Sequence, residues 1–314
     1  MKLGVMIESQ EGVGWTEWKN IVRWTEELGF ESLWRSDHFF PFFAPVRLGD
    51  SLDTMVAHTY TATASRRIRF GPLVLSMTFR HPAMVARMAA AIDQLSEGRF
   101  ILGVGAGWNA AEHEAYGIEL PPVKRRMDNL EESIRVIKAL FEQEYANFDG
   151  KLYRLKDAPM NPKPLQQPMP LLIGGGGEKR TLRMVARYAT EWNVPIMGGL
   201  DAYRQKLRVL EQHCEAEKRD PAAIQRSVMA GYITGASQAE VDKRVEAAMA
   251  RVPERFRVPS GRPPMLGLVG TPRQIVEQIK EIEDAGVSRI MLQHRSPPTR
   301  EELQFVAEEI LPSV

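Results

Sequence analysis

The feature that most constrains the fold of this chain is a repeated alternation. Short β-type runs occur at Leu3–Ile7, Ser32–Arg35, Ile68–Leu75, Phe100–Val104, Leu171–Ile173, Trp192–Val194, Ser227–Thr234 and Arg289–Leu292, and stretches of helical period separate most of them. In "WTEWKNIVRWTEELGF", Trp18, Ile21, Val22, Thr25 and Leu28 form one stripe, and Gly29 stands at the expected C-terminal cap. "HPAMVARMAAAIDQLSEG" opens with Pro82 in its first turn and closes at Gly98. In "RRMDNLEESIRVIKALFE", Met127, Leu130, Ile134, Ile137 and Phe141 recur at spacings of three and four. Strands that alternate with helices run parallel and are joined by right-handed crossovers. Eight such units close a barrel, whereas doubly wound sheets more often stop at five or six strands. The expected architecture is therefore a (β/α)8 TIM barrel forming a single domain over residues 1–314.

Two stretches interrupt the alternation, one after strand four and one after strand seven. Residues 145–170 carry a hairpin signal at Asp149-Gly150 followed by a proline-rich connector, and residues 251–266 are again proline-rich. Connections that follow barrel strands lie on the catalytic face, so both are lid or wall candidates, with plain solvated loops as the alternative.

Composition narrows the partners. At 44% hydrophobic and 26% charged residues the chain is globular, and a formal net charge of +1 provides no global field for nucleic acid or an anionic membrane. Any anion site must be local. The single cysteine, Cys214, excludes an intrachain disulfide framework and reads as a packing residue of an amphipathic helix. The opening "MKLGVMIE" has no signal-peptide pattern and no uncharged run reaches membrane-spanning length, so a cytoplasmic location is expected.

In a barrel, the C-terminal ends of the strands converge on one mouth. Here those ends are Glu8, Asp37-His38, Ser76-Met77-Thr78-Phe79, Gly105-Ala106-Gly107-Trp108-Asn109, Gly174–Gly177 and Gln293-His294. Polar residues and glycines gather there, downstream of apolar runs. "LLIGGGGEKRTLR" places Gly174, Gly175, Gly176 and Gly177 between a strand and a helix. Amide groups backed by a helix dipole suit a phosphate, although a simple turn gives the same pattern. Neither a Walker loop nor a dinucleotide fingerprint is present. Gly105, Ala106 and Gly107 would let a flat ring approach the backbone. Glu112, His113 and Glu114 have the residue types of metal ligands, but adjacent helical residues diverge, and no shared metal site is expected. His38 is a candidate proton donor or acceptor near neutral pH, with Asp37 beside it and Phe39, Phe40, Phe42 and Phe43 following.

The segments "SDHFF", "VLSMTFRHPAMVARMAAAIDQLSEGRFILGVGAGW", "KRRMDNLEESIRVIKALF" and "PLLIGGGGEKRTLRMVARYATEWN" resemble the luciferase-like monooxygenase superfamily over most of residues 1–195, and within it the coenzyme F420-dependent oxidoreductases. The resemblance implies a deazaflavin, or FMN in the alternative, at the barrel mouth. It places the ring edge near His38 and a bulge with a non-proline cis peptide at Leu73–Val74. The strand ends Ser76, Thr78 and Gly105–Gly107 would line the ring, and Gly174–Gly177 would hold the phosphate. His38 would manage a proton, with Asp37 orienting it. Deazaflavin-dependent sugar-phosphate dehydrogenases of this superfamily carry a catalytic glutamate where this chain has Trp108, which argues against that sugar-oxidising activity. The expected function is hydride transfer between coenzyme F420 and a small, apolar or planar organic substrate. An FMN-dependent monooxygenase using oxygen is the runner-up. A homodimer is compatible with the superfamily.

Overall fold

A computed structural model describes residues 1–42, 48–196, 199–250 and 266–314. Strand β1 (Lys2–Ile7) is followed by α1 (Trp15–Glu27), β2 (Ser32–Arg35), α2 (Thr54–Ala64), β3 (Arg69–Pro72), β4 (Leu75–Ser76) and α3 (Pro82–Leu95). Next come β5 (Leu102–Gly105), α4 (Ala110–Ala115), α5 (Val123–Glu142) and the hairpin of β6 (Tyr145–Asp149) and β7 (Arg154–Pro159). The chain continues through β8 (Leu171–Gly174), α6 (Thr181–Tyr188), β9 (Glu191–Pro195), α7 (Gly199–Ala216), β10 (Gln225–Thr234) and α8 (Gln238–Ala250). It ends with β11 (Leu266–Gly270), α9 (Pro272–Asp284), β12 (Arg289–His294) and α10 (Arg300–Glu309).

The main sheet is parallel and runs β3-β2-β1-β12-β10-β9-β8-β5-β4. Its two ends are halves of one barrel strand. The single run Ile68–Leu75 expected from sequence is divided into β3 and β4 by the cis Leu73–Val74 peptide. The first half pairs with β2 and the second with β5, and Ile101 N donates to Phe70 O at 2.9 Å across the seam. The cylinder thus closes as a (β/α)8 barrel.

Two interiors result. Alternate strand residues such as Leu3, Val5 and Ile7 face the helices, where they join Trp18, Ile21 and Val22 of α1 in the larger core. Inside the barrel Met6, Trp34, Ile101, Leu172 and Met291 pack on one another. Beneath them, at the N-terminal ends of the strands, buried Arg289 is gripped by Glu31 at 2.9 and 2.7 Å and pairs with Glu191. This ion-paired cluster fills the N-terminal end of the barrel among the described residues. Cys214 is buried in α7, in keeping with a packing role.

Two departures from the sequence reading concern the insertions. The hairpin follows α5, not a strand end, and lies along that helix. Glu132 of α5 accepts from the amides of Lys151 and Leu152 at 3.0 and 2.9 Å, and Tyr153 Oη donates to Asn129 at 2.6 Å. None of its residues lines the mouth, so it is not a wall of the site. The second departure is β11, a parallel strand the sequence reading did not anticipate. It begins beside Gly231 where the β9 partnership ends at Met229. Most of the 251–266 segment lies outside the described residues. Among the described residues no helix is long and apolar enough to cross a membrane.

Candidate active site

A cavity of about 460 Å³ opens at the C-terminal ends of the strands, within the usual size range of small-molecule sites. Of the candidates named from sequence, Asp37, His38, Leu73, Val74, Ser76, Gly105, Ala106, Gly107, Gly174 and Gly175 line it, whereas Thr78, Gly176 and Gly177 do not.

The floor is built on close approach. The Leu73–Val74 bulge carries the Val74 side chain between Gly105 and Gly174, where added Cβ atoms would lie 2.7 and 3.0 Å from its methyl carbons. The small residues there thus make room for valine, beyond any ring they might admit. Gly107 adopts φ 74° and would, with a Cβ, meet Ser76 Oγ at 2.5 Å. The glycine-rich loop is pinned on its outer side. Gly175 N donates to Asn193 O at 2.9 Å, Trp192 Nε1 donates to Gly175 O at 2.9 Å, and Lys206 Nζ donates to Gly176 O at 2.9 Å. Gly176 and Gly177 carry the chain outward toward α6.

Asp37 and His38 have separate partners, which corrects the expectation that Asp37 orients the imidazole. Asp37 accepts from both terminal nitrogens of Arg80, at 2.6 and 2.9 Å, and from Ser76 N at 3.0 Å. Arg80 reaches on to Asp53, the N-cap of α2, at 3.0 Å. Burial opposes the guanidinium's charge, but the two carboxylates outweigh it and hold its pKa above the ordinary value. His38 instead places Nδ1 2.9 Å from Glu112 Oε2, and Phe39 N donates to Glu112 Oε1 at 2.6 Å. Consecutive residues at a strand end point to opposite sides, so the neighbours in sequence were never placed to bond each other.

Next along α4, His113 bonds Thr78 Oγ1 at 2.7 Å through Nε2 and Asn109 O at 2.7 Å through Nδ1, and Thr78 in turn bonds Ser76 Oγ at 2.7 Å. Glu112 and His113 therefore face different partners, as helical geometry dictates. Among the described residues no cluster of His, Cys, Asp or Glu is arranged to hold a metal ion.

Of the aromatic segment, only Phe42 lines the cavity among the described residues. Phe39 stacks on Phe79 at 4.4 Å, Phe40 is buried, and Phe43 lies outside the described residues. Phe42 and Trp108 approach the His38 ring at 4.4 and 5.6 Å, both edge-on, and Trp108 remains 64% exposed at the rim. Glu8, Glu11, Gln293 and Arg295 also line the cavity. Glu8 accepts from Gln293 and, at 3.1 Å, from Gln10. Burial, with help from Glu8, pushes the Glu11 carboxyl up, although Phe42 N donates to it at 3.0 Å. His294, read from sequence as a mouth residue, instead turns into the packing. Its Nε2 lies 3.3 Å from Tyr232 Oη, and burial lowers its pKa to about 4.

Sequence reasoning missed Arg80, Glu11, Asn193 and Arg295 as parts of this site and gave Glu112 no partner. Period-two alternation past Gln293 would have found Arg295. Nothing local announces a bond between residues 74 apart. Two basic residues that could have met an anionic cofactor tail are committed elsewhere: Lys163 donates to Leu140 O at 2.6 Å, and Arg180 pairs with Asp128 at 2.7 Å. Arg47 lies outside the described residues, and Lys179 is exposed beside the glycine loop.

Comparison with known proteins agrees with this arrangement. The chain belongs to the luciferase-like monooxygenase family, whose model matches residues 1–289. An F420-dependent glucose-6-phosphate dehydrogenase from Amycolatopsis mediterranei is 29% identical over 312 residues, which cover 92% of this chain and 91% of the relative. Among solved structures, an F420-dependent secondary alcohol dehydrogenase in complex with an F420-acetone adduct superposes with a TM-score of 0.82 at 20% identity, covering 100% of this chain and 98% of the other. A monooxygenase from Streptomyces bottropensis reaches 0.81 at 20% identity over 99% of each chain. At such identities the structural likenesses establish the barrel and not the chemistry.

Proposed function

We propose that the protein is a coenzyme F420-dependent oxidoreductase that transfers a hydride between the deazaflavin and a small, apolar or planar organic substrate. The observation that carries this reading is the placement of His38 at the edge of a largely apolar, glycine-floored cavity in a chain whose full-length relative is an F420-dependent dehydrogenase. The residues present fit such a coenzyme. Val74, Gly105, Ala106 and Gly174 would support a planar ring, His38 and Ser76 would meet its polar edge, and the glycine loop leading to α6 would receive the phosphate. When bound, the deazaflavin supplies or accepts the hydride at its redox carbon.

The chain's own work is then limited to binding, exclusion of water and one proton. An alcohol that loses a hydride must also lose its hydroxyl proton, and the reverse reaction must gain one. His38 is the lining group suited to that proton, since Asp37 is already bonded to Arg80. Phe42 and Trp108 shield its ring from solvent on the rim side.

The test is a side-by-side titration of the purified protein with oxidised coenzyme F420 and with FMN. Saturable binding of the deazaflavin, with FMN weaker, is expected. Preference for FMN would replace this reading with an oxygen-using monooxygenase.

A further inference from the structure

We propose that Glu112 is the positioning residue of His38, holding its proton on Nδ1 so that Nε2 faces the cavity as an acceptor. The inference deepens the function proposed above, since it rests on His38 as the proton-handling group, but its physical content can be checked without coenzyme.

Glu112 is wholly buried, and its two oxygens are engaged by consecutive residues: Oε1 by Phe39 N at 2.6 Å and Oε2 by His38 Nδ1 at 2.9 Å. A backbone amide only donates and an ionised carboxylate only accepts, so the shared proton of the second contact belongs to Nδ1. A neutral imidazole has one N–H, which leaves Nε2 with its lone pair. Burial without such partners would be costly for the carboxylate, and the two charge-assisted bonds offset that cost.

The support is itself rigid. Asn109 caps α4 by accepting from Ala111 N at 3.1 Å, and the next residue after Glu112, His113, is tied to Thr78 and Asn109, each at 2.7 Å. Phe42 and Trp108 pack against the His38 ring and restrict its rotation about χ2. Asp37 cannot take over the role, because Arg80 and Ser76 occupy it.

Replacing Glu112 by glutamine turns this geometry into a sharp test. The amide has one oxygen and one NH2. Phe39 N can only donate, so the oxygen stays there and the NH2 is left to donate to His38 Nδ1. The imidazole proton must then move to Nε2.

The measurement is ¹H–¹⁵N spectroscopy of the full chain with ¹⁵N-labelled histidine at a pH where His38 is neutral, its signals assigned by their loss in His38→Ala. The expected result is an Nδ1–H tautomer in the wild type and an Nε2–H tautomer in Glu112→Gln, with loss of turnover of roughly 100-fold or more, the scale of a positioned acid or base. An Nε2–H tautomer in the wild type would overturn the inference even if the variant failed to fold. So would an unchanged Nδ1–H tautomer in the variant. Titration with oxidised coenzyme F420 separates the two claims. Tautomer inversion without coenzyme binding would retain Glu112's role and remove the functional reading. Coenzyme binding without inversion would do the reverse.

Discussion

Val74, just before β4, and Gly105, on the neighbouring β5, are fitted to each other at the barrel mouth: a Cβ on Gly105 would stand 2.7 Å from a Val74 methyl carbon. Val74 is β-branched and stiff at χ1, so it cannot swing aside as a long side chain would. Gly105→Ala is therefore expected to destabilise the protein by about 1–3 kcal/mol, the usual cost of overpacking, and to weaken coenzyme binding by raising the cavity floor. Adding Val74→Ala to that variant should recover part of the stability, because the methyl carbons that collide are gone. Urea denaturation of the two single variants and the double variant gives the coupling. Additive effects would show that the two residues do not meet as described.

Arg80 is expected to matter for stability and His38 for turnover. Arg80→Ala strips both terminal nitrogens from a buried Asp37, and breaking a buried pair from one side costs about 3–5 kcal/mol. His38→Ala removes a ring that is hydrogen-bonded to Glu112, and should lower turnover far more than stability. Asp37→Asn keeps an acceptor for Arg80 and should leave turnover much closer to wild type than His38→Ala does. Equal losses of turnover in Asp37→Asn and His38→Ala would restore Asp37 to a direct part in the chemistry.

The barrel was legible because its signal is periodic. Eight β-type runs separated by helical stripes leave few closed arrangements, and the strand ends then name most of the mouth. What escaped was of two kinds. The strand Leu266–Gly270 is a short apolar run with two glycines of its own at the end of a proline-rich stretch, so it carried no pattern beyond a loop. Partnerships across the sheet escaped as well. Asp37 beside His38 looked like a pair because adjacency is visible in sequence, whereas Arg80 and Glu112 reach these two residues only after the barrel has closed. Divergence of Glu112 and His113 on α4 was read correctly, but it tells where side chains do not meet, not what each one finds.

Acid should weaken the ion-paired N-terminal end of the barrel. Burial alone would push the Glu31 carboxyl up, but its two bonds to Arg289 outweigh that and hold it below the ordinary value of 4.5. A carboxyl lowered in the folded state contributes stability that is complete above its unfolded value and is lost as pH falls through the folded one. Glu31→Gln is therefore expected to be less stable than wild type by about 3 kcal/mol near neutrality, since it leaves a buried guanidinium short of a charged partner. The two stability curves should converge below pH 4.5. Denaturant titrations across that range check the convergence, and parallel curves would mean that the Glu31–Arg289 contact is not formed in solution.

Glucose 6-phosphate is expected to be a poor substrate, in contrast to the relative from Amycolatopsis mediterranei. Among the described residues that line the cavity the one arginine or lysine is Arg295, and Glu8 and Glu11 stand near enough to offset its charge. A phosphate dianion entering there would meet two carboxylates for one guanidinium and would leave charge buried without a matching partner. Trp108 adds an indole at the rim, where it covers the His38 edge and favours apolar surface over a sugar's hydroxyl groups. Steady-state reduction of coenzyme F420 with glucose 6-phosphate tests this directly. Negligible turnover of the sugar phosphate by protein that binds the coenzyme is the expected outcome. Saturable oxidation of glucose 6-phosphate would show that Arg295 is available to a phosphate and that the wall of Glu8 and Glu11 does not set specificity.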